Sequence, residues 1–359
     1  METRVQKLQK ILVKEGLDAI LVTNSYNIRY LSNFTGSTGY ILITQNNQYF
    51  ITDFRYLEQA AKQCQGYEIV ENSTANQYEV MLDLLGNNNI KELAFEESNV
   101  SFALYSLLTD LVSLAGVSLV PTSGLIEKLR EVKDESELEI IKQACRIADE
   151  AFEHILGYIQ PGRTEIEVAN ELDFFMRSKG ASGVSFDTIV ASGVRSAMPH
   201  GVASEKVIEN GDFITLDYGC YYNGYVSDMT RTISLGEPNH DILKEIYQVV
   251  LNAHLKVGEA ARPGMTGKDL DAIARDYITS CGYGDKFGHS TGHGIGLEIH
   301  EQPMISKVSD YVLVENNVIT NEPGIYLPGI GGVRIENDLI ITNKGNETIT
   351  HSPRELIIL

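Results

Sequence analysis

The stretch His289–Glu301, HSTGHGIGLEIHE, carries three of the chain's eight histidines, His289, His293 and His300, interleaved with Gly292, Gly294 and Gly296. Imidazoles at this density can bind a metal, shuttle protons or line a polar pocket. The helical His-Glu-x-x-His arrangement of zinc proteases does not fit, because Ser290 follows the first histidine and the glycines disfavour a helix. Nor does a dinucleotide loop, since no complete G-x-G-x-x-G opens a helix here. A metal site requires carboxylates from elsewhere in the chain.

Two lie in DFITLDYGCYYNGYVSDMTRTISL, residues 212–235. Apolar and small polar residues alternate on both sides of Asn223-Gly224, a strong hairpin signal. With a two-residue turn there, Tyr222 pairs with Tyr225, Asp228 falls opposite Gly219, and Asp217 is one same-face step away. Asp217 and Asp228 are then diagonal neighbours on one face, their backbones roughly 7–8 Å apart. In an interior, two such carboxylates need a cation.

Two more acids lie in VITNEPGIYLPGIGGVRIENDLIIT, residues 318–342, which reads as two strands joined by a Gly/Pro-rich connection. Glu322 ends the first strand and Glu336 sits inside the second. An acid among Val, Ile and Leu is costly to bury unless paired or metal-bound, and Arg334, on the face of Glu336, can offset one charge. Four carboxylates and an imidazole make a hard, oxygen-rich site suited to two divalent ions such as Mn²⁺. Ions about 3.5–4 Å apart can share carboxylates and generate a hydroxide nucleophile at neutral pH.

The elements that must position these groups divide the chain. In the first third, the short apolar runs DAILVT, GYILIT, QYFITD, YEIVEN, ELAFEE and VSLVPT alternate with helical patterns, which predicts an α/β layer domain. A charged linker over residues 121–134 follows, and the spacing of Ile141, Ala144, Ala148, Ala151, Phe152 and Ile155 predicts a long amphipathic helix from Asp134. We place the domains at 1–125 and 126–359. The second contains a faint repeat at an offset of 102 residues: PGRTEIEVANEL from Pro161 and PGMTGKDLDAIA from Pro263. Thr164 with Glu167, and Thr266 with Asp269, form matching capping boxes, which implies two related halves with a site at their junction.

Composition narrows the functions. Acidic residues outnumber basic ones, 49 to 29, giving a net charge of −20, which argues against nucleic-acid and anionic-membrane partners. Cys64, Cys145, Cys220 and Cys281 are widely spaced and read as reduced thiols. The amino-terminal segment lacks the apolar block of a signal peptide, and no run is long enough to span a bilayer. The expectation is a soluble cytoplasmic protein.

HGIGLEIHE, NEPGIY and GVRIEND, with the two aspartates eleven residues apart, resemble the pita-bread metallopeptidases, which include methionine aminopeptidase, aminopeptidase P and prolidase. The similarity covers the whole chain. It implies an α/β creatinase-like N-terminal domain, as in the proline-directed branch, and an α+β pita-bread catalytic domain. Residue by residue, it implies that Asp217 chelates one ion, that Asp228 and Glu336 bridge the pair, and that His293 and Glu322 complete the other. His200, in AMPHG, and His300 are the imidazoles near the scissile group, and Glu322 relays the proton. Tyr326 and Arg334 support the cluster, Arg334 orienting it, and His289 contacts substrate. His154, His240, His254 and His351 match no such position and read as surface or helix residues.

The implied activity is removal of the N-terminal residue from Xaa-Pro peptides by an Xaa-Pro aminopeptidase, with two divalent ions, Mn²⁺ first and Co²⁺ or Zn²⁺ also accepted. The alternative is an Xaa-Pro dipeptidase restricted to dipeptides. Creatinase and the metal-free pita-bread binding modules are disfavoured by the complete ligand set. Small peptides with proline second are the implied substrates, and a homodimer through the N-terminal domain the implied assembly.

Overall fold

The computed structural model of the chain describes residues 2–359. Two compact units emerge, one extending to Arg130 and the other running from Glu131 to Leu359. The apolar runs of the first unit become β1 (Ala19–Val22), β2 (Tyr40–Thr44), β3 (Gln48–Thr52), β4 (Glu68–Glu71), β5 (Glu92–Glu96) and β6 (Ser118–Thr122). They form one mixed sheet in the order β4-β3-β2-β1-β5-β6. The connecting helices are α1 (Arg4–Glu15), α2 (Ser25–Ser32), α3 (Leu57–Gln63), α4 (Gln77–Asn87) and α5 (Phe102–Ser113), with a short α6 (Glu127–Arg130) closing the unit. Every residue of β1 is buried, as expected where both faces of a sheet are covered.

The second unit opens with α7 (Glu135–Leu156), whose N-cap Asp134 forms a capping box with Glu137. Its expected apolar stripe is buried, with Ala144, Ala148, Ala151, Phe152 and Ile155 in one core cluster. With α8 (Glu165–Ser178) this helix packs on a sheet of β8 (Ile189–Ser192), β9 (Phe213–Tyr218) and β12 (Met229–Ser234), after a short β7 (Gly183–Val184). The hairpin β10 (Cys220–Tyr222) and β11 (Tyr225–Val226) pairs Tyr222 with Tyr225 around Asn223 and Gly224, both at positive φ. The same register continues below it, pairing Thr230 with Asp217 and Met229 with Tyr218, so Asp228 and Asp217 are diagonal neighbours.

A second helix pair, α9 (Asp241–Ala260) and α10 (Gly267–Ser280), covers β13 (Gly292–Gly294), β14 (Glu301–Ile305), β15 (Val318–Asn321), β18 (Asn337–Ile341) and β19 (Asn346–Thr348). The segment expected as two strands is four, because β16 (Gly324–Leu327) and β17 (Gly331–Arg334) form their own hairpin between β15 and β18. The two helix pairs are related as the repeat implies. Thr164 caps α8 and Thr266 caps α10, each with a capping box. Each threonine also bridges an extended segment, to Val207 and Val312 respectively. No helix among the described residues is long and apolar enough to cross a membrane.

Candidate metal centre

A cavity of about 420 Å³ opens between the two halves of the second unit, and Asp217, Asp228, His293, Glu322 and Glu336 all line it. Each arrives on a different element. Asp217 points from β9, and Asp228 immediately precedes β12. His293 is the middle of β13, where its flanking glycines serve close approach and not a special backbone turn. A Cβ on Gly292 would lie 2.1 Å from the Thr320 carbonyl oxygen, and one on Gly294 2.3 Å from that of Gln302. Glu322 follows β15. Glu336 lies between β17 and β18, not inside a strand as expected, with its N–H donating to the Thr230 carbonyl at 3.0 Å. This break frees its side chain to turn inward, where it accepts from the Thr230 hydroxyl at 2.7 Å.

Asp228, His293 and Glu336 each offer a ligand atom within 4.8 Å of the others. His293 Nδ1 donates to the Gly294 carbonyl at 3.1 Å, which leaves the Nε2 lone pair aimed inward. That nitrogen stands 3.6 Å from Asp228 and 3.4 Å from Glu322. Burial, and then the nearby His300, hold its pKa down at about 4, so the ring is neutral and its lone pair is free to bind a cation rather than to form an ion pair. Burial is also the largest cause of the raised carboxyl pKa values, followed for Asp228 by Glu336 and for Glu336 by Glu322. Glu322 is pushed to about 8, burial outweighing the opposing pull of Arg334. A buried, oxygen-rich set that repels itself in this way fits divalent ions, which would remove the repulsion.

Arg334 pairs with Asp217 and not with Glu336, because the hairpin that carries Arg334 packs against the separate sheet that carries Asp217. Its NH1 also donates to the Tyr326 hydroxyl at 2.7 Å. Tyr326 passes the chain on to His289 Nε2 at 2.8 Å, while His289 Nδ1 donates to the Ser290 carbonyl at 2.8 Å. Both ring nitrogens of His289 are thus engaged, although the residue lines the cavity. His200 and His300 face the same space, joined by an apolar wall of Phe186, Ile189, Val202, Ile299 and Met304.

Two residues escape the sequence reading. His254 is a helix residue but not a surface one: it is 2% exposed and Nδ1 donates to the carbonyl of Asn321, next to Glu322. Asp338 is fully buried, accepts from the Asp228 N–H at 3.0 Å and from the Cys145 thiol at 3.3 Å. An acid between Asn337 and Leu339 in an apolar strand carries the same signal as Glu336.

Four carboxylates and a neutral imidazole converge between two helix-backed half-sheets, an arrangement of the kind metal-dependent hydrolases use. Residues 139–343 match Metallopeptidase family M24, and residues 4–132 match the Creatinase/Prolidase N-terminal domain. The chain is 41% identical to the Xaa-Pro dipeptidase of Pyrococcus horikoshii across 99% of both chains. Among solved structures it is 55% identical to the Xaa-Pro dipeptidase from Bacillus anthracis, with a TM-score of 0.96 over 99% of each chain. It is 44% identical to the X-Pro aminopeptidase from Thermotoga maritima, with a TM-score of 0.90 over 96% of this chain and 98% of that one. The chain therefore belongs to metallopeptidase family M24, the pita-bread metallopeptidases, in the branch that carries a creatinase/prolidase N-terminal domain.

Proposed function

We propose that this metallopeptidase is an Xaa-Pro dipeptidase, splitting the bond between an amino-terminal residue and a carboxy-terminal proline. The observation that carries the reading is the convergence of Asp228, His293 and Glu336, with Asp217 and Glu322 in the same cavity. Dipeptides are preferred to the longer peptides expected from the sequence because the relatives named for dipeptidase activity match over nearly full length at 55% and 41% identity. The cavity also lies in the lower part of the range usual for small-ligand sites, about 300–1,000 Å³. The Thermotoga relative keeps Xaa-Pro aminopeptidase as the second reading.

In this reading Asp217 would help hold one ion and His293 with Glu322 the other, with Asp228 and Glu336 as ligands shared by the pair. Mn²⁺ is the proposed physiological metal, and the working form is a cytoplasmic homodimer. When bound, the ions supply a deprotonated water at neutral pH and draw electron density from the scissile carbonyl. Glu322 takes up the proton and returns it to the proline nitrogen, which leaves as a secondary amine. His200 and His300 donate from ring nitrogens to the carbonyl oxygen as it gains charge. The substrate's ammonium group faces the acids around Asp217, and Arg334 and Tyr326 keep that side fixed.

The test compares kcat/KM for Xaa-Pro and Xaa-Pro-Xaa peptides with chelated enzyme titrated with Mn²⁺, Co²⁺ or Zn²⁺. Turnover confined to dipeptides is expected. Comparable turnover of tripeptides would return the reading to aminopeptidase, and hydrolysis of neither would discard both.

A further inference from the structure

Among the buried acids outside the metal cage, two without a part in the chemistry do a similar thing in the two halves. Glu165 is the first residue of α8 and is 0% exposed. Its Oε1 accepts from the Ser192 N–H at 2.7 Å and hydroxyl at 2.9 Å, and its Oε2 from the Ser204 N–H at 3.1 Å and hydroxyl at 2.7 Å. Arg195 also donates to Oε2 and reaches the Val202 carbonyl at 2.9 Å. One carboxylate thus clamps both ends of the 192–204 segment, and His200 sits within it.

Asp271, on α10 and 1% exposed, repeats the device. Its Oδ1 accepts from the Thr291 N–H at 3.1 Å and hydroxyl at 2.9 Å. Arg275 pairs with it at 2.7 Å and donates to the carbonyls of His289 at 2.8 Å and Phe287 at 3.0 Å. The guanidinium also stacks 4.3 Å from the Phe287 ring, which meets His289 edge-on at 5.1 Å. The two acids are not equivalent in the repeat, since Thr164 aligns with Thr266 and Asp271 lies a turn further along its helix than Glu165. The shared feature is the motif itself: a buried acid on a repeat helix, an N–H and hydroxyl pair at one end of a loop, and an arginine tied to that loop's carbonyls. Charge-assisted bonds of this kind are stronger and more directional than neutral ones.

We infer that Glu165 and Asp271 are paired positioning residues, Glu165 fixing the loop that presents His200 and Asp271 the loop that presents His289. The inference rests on the role of His200 given under Proposed function and on the substrate contact that the family resemblance implies for His289. If Glu165 acts through His200, Glu165→Gln lowers kcat about 10-fold or more on an Xaa-Pro dipeptide but changes it less than about 2-fold in a His200→Ala background, with manganese per chain unaltered. If Asp271 acts through His289, Asp271→Asn raises KM more than it lowers kcat, and that effect too vanishes in a His289→Ala background. Equal losses in the parent and in the double variants would overturn the inference. Should Glu165→Gln fail to fold, Arg195→Lys and Ser204→Ala carry the same cycle at part-exposed positions. Histidine-labelled full chain supplies a readout free of the reaction: the ring resonance of His200 moves in Glu165→Gln and that of His289 in Asp271→Asn. Unmoved rings overturn the inference even if no dipeptide is hydrolysed, and moved rings sustain it while the substrate reading fails alone.

Discussion

If Asp228 and Glu336 are ligands shared by the ions as proposed, Asp228→Ala or Glu336→Ala should remove bound metal and activity together, read by elemental analysis and dipeptide turnover. His300→Ala differs, because its ring lines the cavity beside the cage. It should retain metal and lose kcat by about 10²–10⁴-fold, the usual span for a positioned proton donor or acceptor. The cage also fixes a pH dependence in the chelated protein. Asp228, Glu336 and Glu322 have raised pKa values, Glu322 reaching about 8, so their stabilising protons are lost as pH rises toward that value. His293 and His289 are held near 4, so they cost stability only as pH falls below about 6.5, the ordinary histidine value. Between about pH 6.5 and 8 only the carboxylates act. There the chelated protein's Tm should fall with rising pH while the manganese-loaded protein's stays flat, and manganese uptake should release protons. A chelated Tm that climbs over this interval would contradict the electrostatics.

Among the elements, β13 is tightly constrained. Gly294 faces the backbone of Gln302 so closely that a Cβ would lie 2.5 Å from its carbonyl carbon, and backbone cannot yield as a side chain can. Gly294→Ala should therefore spread β13 from β14, displace His293 and weaken manganese affinity at least about 10-fold, with far-ultraviolet circular dichroism unchanged. Unaltered affinity would show that the strand spacing is not what places the histidine. The sequence pattern makes the glycines conspicuous as breakers of a helix; what requires them, a neighbouring strand, is long-range and invisible in a local window. The hairpin at Asn223-Gly224 is the opposite case, since a local turn signal sets its register, and that register places Asp217 and Asp228. Between Glu322 and Glu336 the pattern fails, because Gly324–Leu327 and Gly331–Arg334 are too short and too glycine-rich to read as strands.

At the scale of the whole molecule, the α/β first unit is legible from its alternating apolar runs, and the two-part second unit from its matched Pro-Gly-x-Thr helix starts. The metal cage is legible because acids in apolar surroundings are conspicuous. Its support is less so: Glu165, Asp271 and His254 resemble ordinary helix residues until the fold closes around them. The same closure turns Arg334 from Glu336 to Asp217, since packing between sheets, not nearness in the chain, decides a buried charge's partner. What unites the levels is charge: the four carboxylates gathered in one cavity carry more negative charge than Arg334 alone can offset, and divalent ions would supply the balance. Calorimetric titration of the chelated chain with Mn²⁺, followed in parallel by Xaa-Pro hydrolysis, measures this directly. Two ions bound per chain, with hydrolysis appearing as they bind, is the expected result, and full hydrolysis by the chelated chain would contradict it.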